Sequence, residues 1–281
     1  MKPFALYHTF TEHFTIGEQK LLQMILEMVN ANAVYLLGAS LNGRRTESVF
    51  SPSSPSAQRI SEYFLLVIMG GPNNKPLYEW QDKIEQHLRP FATVTVIVLE
   101  TITFQQWLND CHPFAVTVAA TSVPIFKKEG IQFALPTTVQ INQQKLQGYF
   151  REGIEKTRSF FAGAELYMVR KEYKMAAFML HQATEQALVT LVKTGTGYHS
   201  HTHNIERLLR YASMISYQLP DIFPRHTDQE KQLFKLLQNA YSDARYAELY
   251  IIGYKELHLL IGRVKEIIAV AEGFEKKIFY N

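Results

Sequence analysis

The chain carries two hydrophobic periodicities, and the change falls near Pro136. Before it, short runs that are apolar at every position alternate with stretches apolar at every third or fourth. Ala33 to Leu37, Tyr63 to Met69 and Thr93 to Leu99 are such runs and predict strands. Phe64-Leu65-Leu66-Val67-Ile68-Met69 is apolar on both faces, which predicts a strand covered on two sides and stopped by Gly70-Gly71-Pro72-Asn73-Asn74. Leu77, Trp80, Ile84 and Leu88 recur at helical spacing, and Pro90 closes that segment. Leu21, Leu22, Ile25, Met28 and Val29 predict a helix ahead of the first strand, so the unit begins near Thr15.

After Pro136 only the helical period remains. Leu146, Phe150, Ile154, Phe161, Ala164 and Met168 form one long stripe. Four more helices are predicted over about Lys174 to Lys193, Asn204 to Ile215, Thr227 to Ile252 and Tyr254 to Phe274. Gly195 and Gly197 punctuate the end of one, and Pro220 and Pro224 separate two others. The pattern predicts an α+β domain over residues 1–136 and an all-α bundle over residues 140–281, with the boundary at Pro136 to Gln140. There is no internal repeat, and the one biased segment is the Ser- and Pro-rich loop Ser48 to Ser61.

Composition narrows the classes. At 281 residues, 47% hydrophobic and 20% charged, the chain has apolar surface enough for a folded core, which excludes a disordered or collagen-like protein. A single Cys, Cys111, rules out an intrachain disulfide, a CxxC redox pair and a thiolate metal cage. A net charge of +3 does not by itself demand a nucleic acid or a membrane. Met1 to Thr15 lacks the continuous apolar core of a signal peptide, so export is not expected. Tyr63 to Met69 and Val96 to Leu99, among the longest apolar stretches, fall far short of the ~20 residues of a spanning helix. A cytoplasmic protein with no membrane partner is expected.

Leu36-Leu37-Gly38-Ala39-Ser40 reads as a strand entering a Gly and Ser turn, followed by Glu62-Tyr63-Phe64-Leu65-Leu66-Val67. Together these segments resemble the minimal nucleotidyltransferases over roughly the first 135 residues. The resemblance implies a Gly-Ser turn that grips a triphosphate, and alternating carboxylates that hold divalent metals. The acid-x-acid positions correspond here to Glu62 and Phe64. A third acid should lie within Thr93 to Leu99, which has none; Glu100 stands at its end. One carboxylate supplies too little anionic charge for a two-metal site. The domain is therefore expected to be catalytically degenerate, with no catalytic residue, no metal ligand and no cofactor. Gly38, Ser40, Arg44, Arg45 and Arg59 either still cradle a phosphate or form a solvated surface loop.

The second predicted helix reads Ala176-Ala177-Phe178-Met179-Leu180-His181-Gln182-Ala183-Thr184-Glu185-Gln186-Ala187-Leu188, followed by Thr202-His203-Asn204-Ile205 and later by Ala244-Arg245-Tyr246. These three motifs, in this order, resemble HEPN domains over about residues 140 to 275. The resemblance implies a helical bundle, a nucleotide or RNA as ligand and pairing of the bundles as a homodimer. His181, Gln182 and Glu185 share one arc of the helix. Glu185 is costly to bury alone and should meet a donor such as Arg245 or Tyr246. This group is either a polar clasp that sets bundle register or part of a ligand cleft. Some HEPN proteins resemble metal-independent ribonucleases with an Arg and a His four to six residues apart, and no Arg here is followed by a His at that interval. His199-Ser200-His201-Thr202-His203 invites a metal reading, but no acidic or Cys ligand accompanies it, so it is better read as a helix entrance with Asn204 as N-cap.

The resulting expectation is a two-domain protein that binds a nucleotide or a nucleic-acid end without turning it over. Its candidate ligand contacts are Gly38, Ser40, Arg44, Arg45, Glu62, His181, Gln182, Glu185, His203, Arg245 and Tyr246. One alternative is an active nucleotidyltransferase that uses magnesium on Glu62 and Glu100. The others are a HEPN ribonuclease and a structural partner protein with no small ligand.

Overall fold

Strands without a polar break need cover on two faces, and the N-terminal part of the chain supplies it by placing helices on both sides of one sheet. The computed structural model describes residues 16–41, 45–48, 60–71, 75–122, 124–136, 142–216, 218–246 and 250–279. Apart from the short segment Met214–Tyr217, the chain divides between Ile141 and Asn142 into two compact units.

In the first unit, helix α1 (Ile16–Met28) leads into β1 (Ala31–Leu41), β2 (Arg45–Ser48) and β3 (Ile60–Met69). Helix α2 (Leu77–Leu88), β4 (Val94–Glu100), α3 (Thr101–Asn109), α4 (Pro113–Thr121) and β5 (Pro124–Lys127) follow. The strand order is β2-β1-β3-β4, with β5 also pairing β1. Only β3 and β4 run parallel, and α2 makes the crossover that this requires. Alternation then sorts the side chains. Val34, Leu65, Val67, Val96 and Val98 join Leu21, Ile25, Ile84 and Leu88 in one core beneath α1 and α2. Phe64, Leu66 and Ile97 point the other way and are just as buried, on the side where Phe104 of α3 meets Tyr35 at 6.0 Å. Burial pushes the Tyr35 hydroxyl up to about 12. The free edge of β4 is satisfied by α2: Val96 N–H donates to Glu85 Oε1 at 3.0 Å, and Gln81 donates to the Val96 carbonyl.

Two expectations change here. Gly38, Ala39 and Ser40 do not form a turn. They lie inside β1, opposite Ser48, Glu47 and Thr46 of β2 on one edge and Phe64, Tyr63 and Glu62 of β3 on the other. A stretch of strand paired on both edges directs its peptide groups into the two ladders, and no free nest of backbone donors remains there for a phosphate. Arg45, expected to cradle a phosphate or to lie in a solvated surface loop, opens the strand β2.

The second unit is helical throughout its described residues: α5 (Gln143–Val169), α6 (Tyr173–Thr196), α7 (Ile205–Ser213), α8 (Gln218–Asp221), α9 (Asp228–Asn239), α10 (Asp243–Tyr246) and α11 (Tyr254–Phe279). Helix α6 runs through the middle, with Ala, Leu, Thr and Val side chains buried on nearly all sides, and α5, α7, α9, α10 and α11 contact it. Lys265 to Glu165 at 3.1 Å and Arg158 to Glu272 at 2.7 Å fix α5 and α11 antiparallel. The single helix expected over Thr227 to Ile252 is two, α9 and α10. Thr227 and Glu230 form a capping box at the start of α9, whereas at its end the Ser242 hydroxyl donates to the Asn239 carbonyl and to the Asp243 carboxylate, so side-chain bonds to local groups replace continuation of the helix.

Candidate functional site

In the second unit, a groove of about 430 Å³ opens between α5, α6 and the segment that joins α6 to α7. Its origin is local. Gly153 of α5 faces Thr190 of α6, and a Cβ at that position would overlap the threonine side chain, so the two helices approach closely only because residue 153 has none. Tyr149, Glu152 and Lys156 of α5, at helical spacing around Gly153, line one wall, and Glu185 and Val189 of α6 line another.

The third wall exists because α6 is made to stop. Gly197 takes a left-handed conformation, φ 79°, and its N–H closes on the Lys193 carbonyl. The Thr196 hydroxyl accepts from Tyr198 N–H at 3.0 Å, and the Tyr198 ring packs edge-on against Tyr211 at 5.6 Å. Burial pushes the Tyr198 hydroxyl up to about 12. From this anchor the chain passes His199, His201 and His203 along the groove before Asn204 caps α7, its Oδ1 accepting from Arg207 N–H at 3.0 Å. Among the described residues no group of three or more His, Cys, Asp or Glu is placed to hold a metal ion.

Glu185 is almost completely buried, and among the described residues its polar neighbours are two histidines. Its Oε1 lies 3.0 Å from Nδ1 of His203, across the groove wall, and its Oε2 lies 3.7 Å from Nδ1 of His181. The His203 ring is half-exposed and stacks on Tyr241 at 4.4 Å and 13°. A buried carboxylate behind Nδ1 and an aromatic plane against the ring together set the orientation of the imidazole and leave Nε2 as its second polar atom. Arg245 and Tyr246 belong to α10, and their side chains lie outside the described residues.

Charge is crowded around the groove. Burial and the nearby Lys145 hold the Lys193 ammonium below its usual range, and that ammonium sits 3.7 Å over the Tyr149 ring. The His199 imidazole is lowered by burial and by the positive groups of Lys193 and His201. Burial raises the Glu185 carboxyl, opposed by His203 and Lys156. A raised carboxyl makes its full contribution to stability below its unfolded value of 4.5 and loses it as pH climbs through the higher folded value, because the unfolded chain gives up the proton more readily. Glu185→Gln keeps an oxygen for His203 and removes the titration. Urea unfolding followed by helical circular dichroism from pH 4 to 8 is expected to show a steeper loss of stability above pH ~4.5 in the wild type than in this variant.

Of the residues expected from sequence, Glu185 and His203 come together at the groove. His181 is fully buried and does not line the groove, which corrects its expected role as a direct ligand contact; its Nδ1 lies 3.7 Å from Glu185 Oε2. Gln182 lies beside His181, its Nε2 3.5 Å from Nδ1, and does not line the groove. Lys156, Tyr149 and Thr190 were missed; the one available signal was a lysine three residues after Gly153, within a long apolar stripe. In the first unit, Ser40 is buried opposite Glu62, whose carboxylate accepts from the Thr95 hydroxyl at 2.5 Å. Arg44 and Arg59 lie outside the described residues; Arg45 is in β2, with its side chain likewise outside them. Glu62 and Glu100 cannot share a metal. Tyr63 pairs with Val94 while Glu100 pairs with Met69, which puts the two carboxylates at opposite ends of the parallel pair, roughly 20 Å apart at the usual rise per residue.

Residues 150–274 match the family model described as the HEPN domain. Among solved structures, the chain is similar to a nucleotidyltransferase-like protein from Exiguobacterium sibiricum, at 12% identity and a TM-score of 0.32, with 93% of this chain and 76% of that chain covered. No curated protein matches the sequence. No helix among the described residues is long and apolar enough to cross a membrane.

Proposed function

We propose, from the match of residues 150–274 to the HEPN domain model, that this protein binds a nucleotide or a nucleic acid in the groove of its helical unit and does not turn it over. The observation that carries this reading is the gathering of Lys156, His199, His201 and His203 around a single groove, where burial, with Lys193 and His201 close by, lowers the His199 imidazole. A lysine and imidazoles converging on one groove supply donors suited to an anionic ligand. The absence of turnover rests on the first unit, where Phe64 fills the core at the position of the second acid and Glu62 is bonded to a threonine.

Isothermal titration with nucleoside triphosphates and short single-stranded RNA, with and without magnesium, tests both halves of the reading. Binding that is indifferent to magnesium, with the ligand recovered intact, is expected. Silence from every ligand would remove the binding role. Magnesium-dependent pyrophosphate release that disappears in Glu62→Gln would establish the enzyme instead. The same reading includes a homodimer formed through the helical unit, supported by exposed Leu166 and Val169 at the end of α5 and by Leu259 on the antiparallel α11. Light scattering is then expected to give twice the chain mass of 32.4 kDa.

A further inference from the structure

The charge and size of the groove say more about its ligand than nucleic-acid chemistry in general. At about 430 Å³ it is at the small end of single-ligand pockets, a volume for one nucleotide rather than several. The aromatic side chain on its wall, Tyr149, has one face covered by Lys193 at 3.7 Å, which leaves less of it for stacking a base. It offers donors: one exposed ammonium and a row of imidazoles, one of them fixed from behind by a buried carboxylate.

We infer that the groove holds the terminal phosphate of a nucleotide or of a nucleic-acid end, with Lys156 and the imidazoles of His201 and His203 donating to its oxygens and Glu185 acting as the positioning residue for His203. This rests on the nucleotide or nucleic-acid reading above and narrows it to a phosphomonoester. A monoester carries close to two charges at neutral pH, against one for each internal diester, and presents three oxygens to convergent donors. Neutral imidazole with Nδ1–H on Glu185 shows a lone pair at Nε2, which repels phosphate oxygen; protonated imidazole shows an N–H there. Binding therefore takes up a proton. Among the described residues, the other titratable groups around His203 are Glu185 and His181 of α6, Lys156 and Glu152 of α5, His199 and His201 of its own segment, and Tyr241, whose ring covers its face. Imidazole is the side-chain type whose ordinary range lies nearest the interval from pH 6.5 to 8, and the carboxyl behind His203, Glu185, is raised by burial and does not point at the ligand. Over that interval the ligand's own second ionisation is largely complete and works in the opposite direction, so tighter binding at the lower pH belongs to the protein.

The test uses the full chain with four probes: inorganic phosphate, a nucleoside 5′-monophosphate, and one RNA decamer made with a 5′-phosphate or a 5′-hydroxyl. The phosphorylated decamer is expected to bind about tenfold or more tightly than the hydroxyl form, and its affinity at pH 6.5 to exceed that at pH 8 by roughly tenfold. Lys156→Gln, an exposed position, should weaken binding at both pH values and leave their ratio alone. His203→Asn, which still donates to Glu185, should flatten the ratio. A monophosphate that binds as well as the decamer identifies the free nucleotide as the ligand; a monophosphate that binds much more weakly identifies the strand end, and either fits the inference. Equal affinity for the two decamers, or a pH ratio unchanged in His203→Asn, overturns it. RNA binding that persists without regard to the end group would overturn it while leaving the broader binding role standing.

Discussion

Phe64→Asp is expected to unfold the N-terminal unit and not to rebuild a metal site. The substitution would restore, two residues after Glu62, the second acid of the acid-x-acid pair that the resemblance to nucleotidyltransferases implies. In this protein, however, position 64 belongs to the core: the Phe64 side chain is fully buried in β3, between β1 and β4. Removing a buried Phe side chain costs about 3–5 kcal/mol, and placing a carboxylate there without a partner adds to that. Against a whole-domain stability of about 5–15 kcal/mol, little remains. The two tryptophans, Trp80 and Trp107, both lie in the first unit, so their fluorescence reports on that unit, while circular dichroism at 222 nm is dominated by the second. Early loss of native fluorescence in urea with most helical signal retained is the expected pattern. A Phe64→Asp protein with wild-type unfolding and magnesium-dependent activity would show that the position is a vacated metal site after all.

Gly153→Val is expected to lower the stability of the helical unit by about 2–3 kcal/mol and to abolish ligand binding in the groove. On helix propensity alone, replacing a mid-helix glycine is not costly, and to alanine it gains up to about 1 kcal/mol. The sign is reversed by packing, since a side chain at 153 would meet Thr190 on α6 and force apart the two helices that make the groove. Gly148, five residues earlier on the same helix, has open space where its Cβ would be, and Gly148→Ala is expected to stabilise. Thermal unfolding followed at 222 nm separates the two. Thr190→Ala added to Gly153→Val should recover a large part of the loss, because it removes the atoms in the way; a second substitution that merely adds its own cost would place the effect elsewhere.

How much of this was legible beforehand follows from the range over which each feature is encoded. The buried strand Ile60–Met69, the connector helix ending before Pro90, and the long stripes that became α5, α6 and α11 are visible because a period of two or 3.6 is written over a few consecutive residues. The shared arc of His181, Gln182 and Glu185 is legible for the same reason. Gly38 and Ser40 misled because a glycine-serine step carries the same local signal in a turn and in a central strand. What decides between them is pairing with Ser48 and Phe64, at sequence distances no window covers.

The sequence by itself determined that there are two differently built halves, which residues form their cores, and that Glu185 would need a partner. Only the tertiary structure decided that His203, eighteen positions on, meets Glu185, and that Lys156 from a third element shares the groove with them. Burial makes a lone carboxylate costly wherever it stands, so the need for a partner can be read locally. Which side chain meets that need depends on how closely α5 and α6 approach at Gly153 and where Gly197 turns the chain back, and those are outcomes of packing between segments that no single segment encodes.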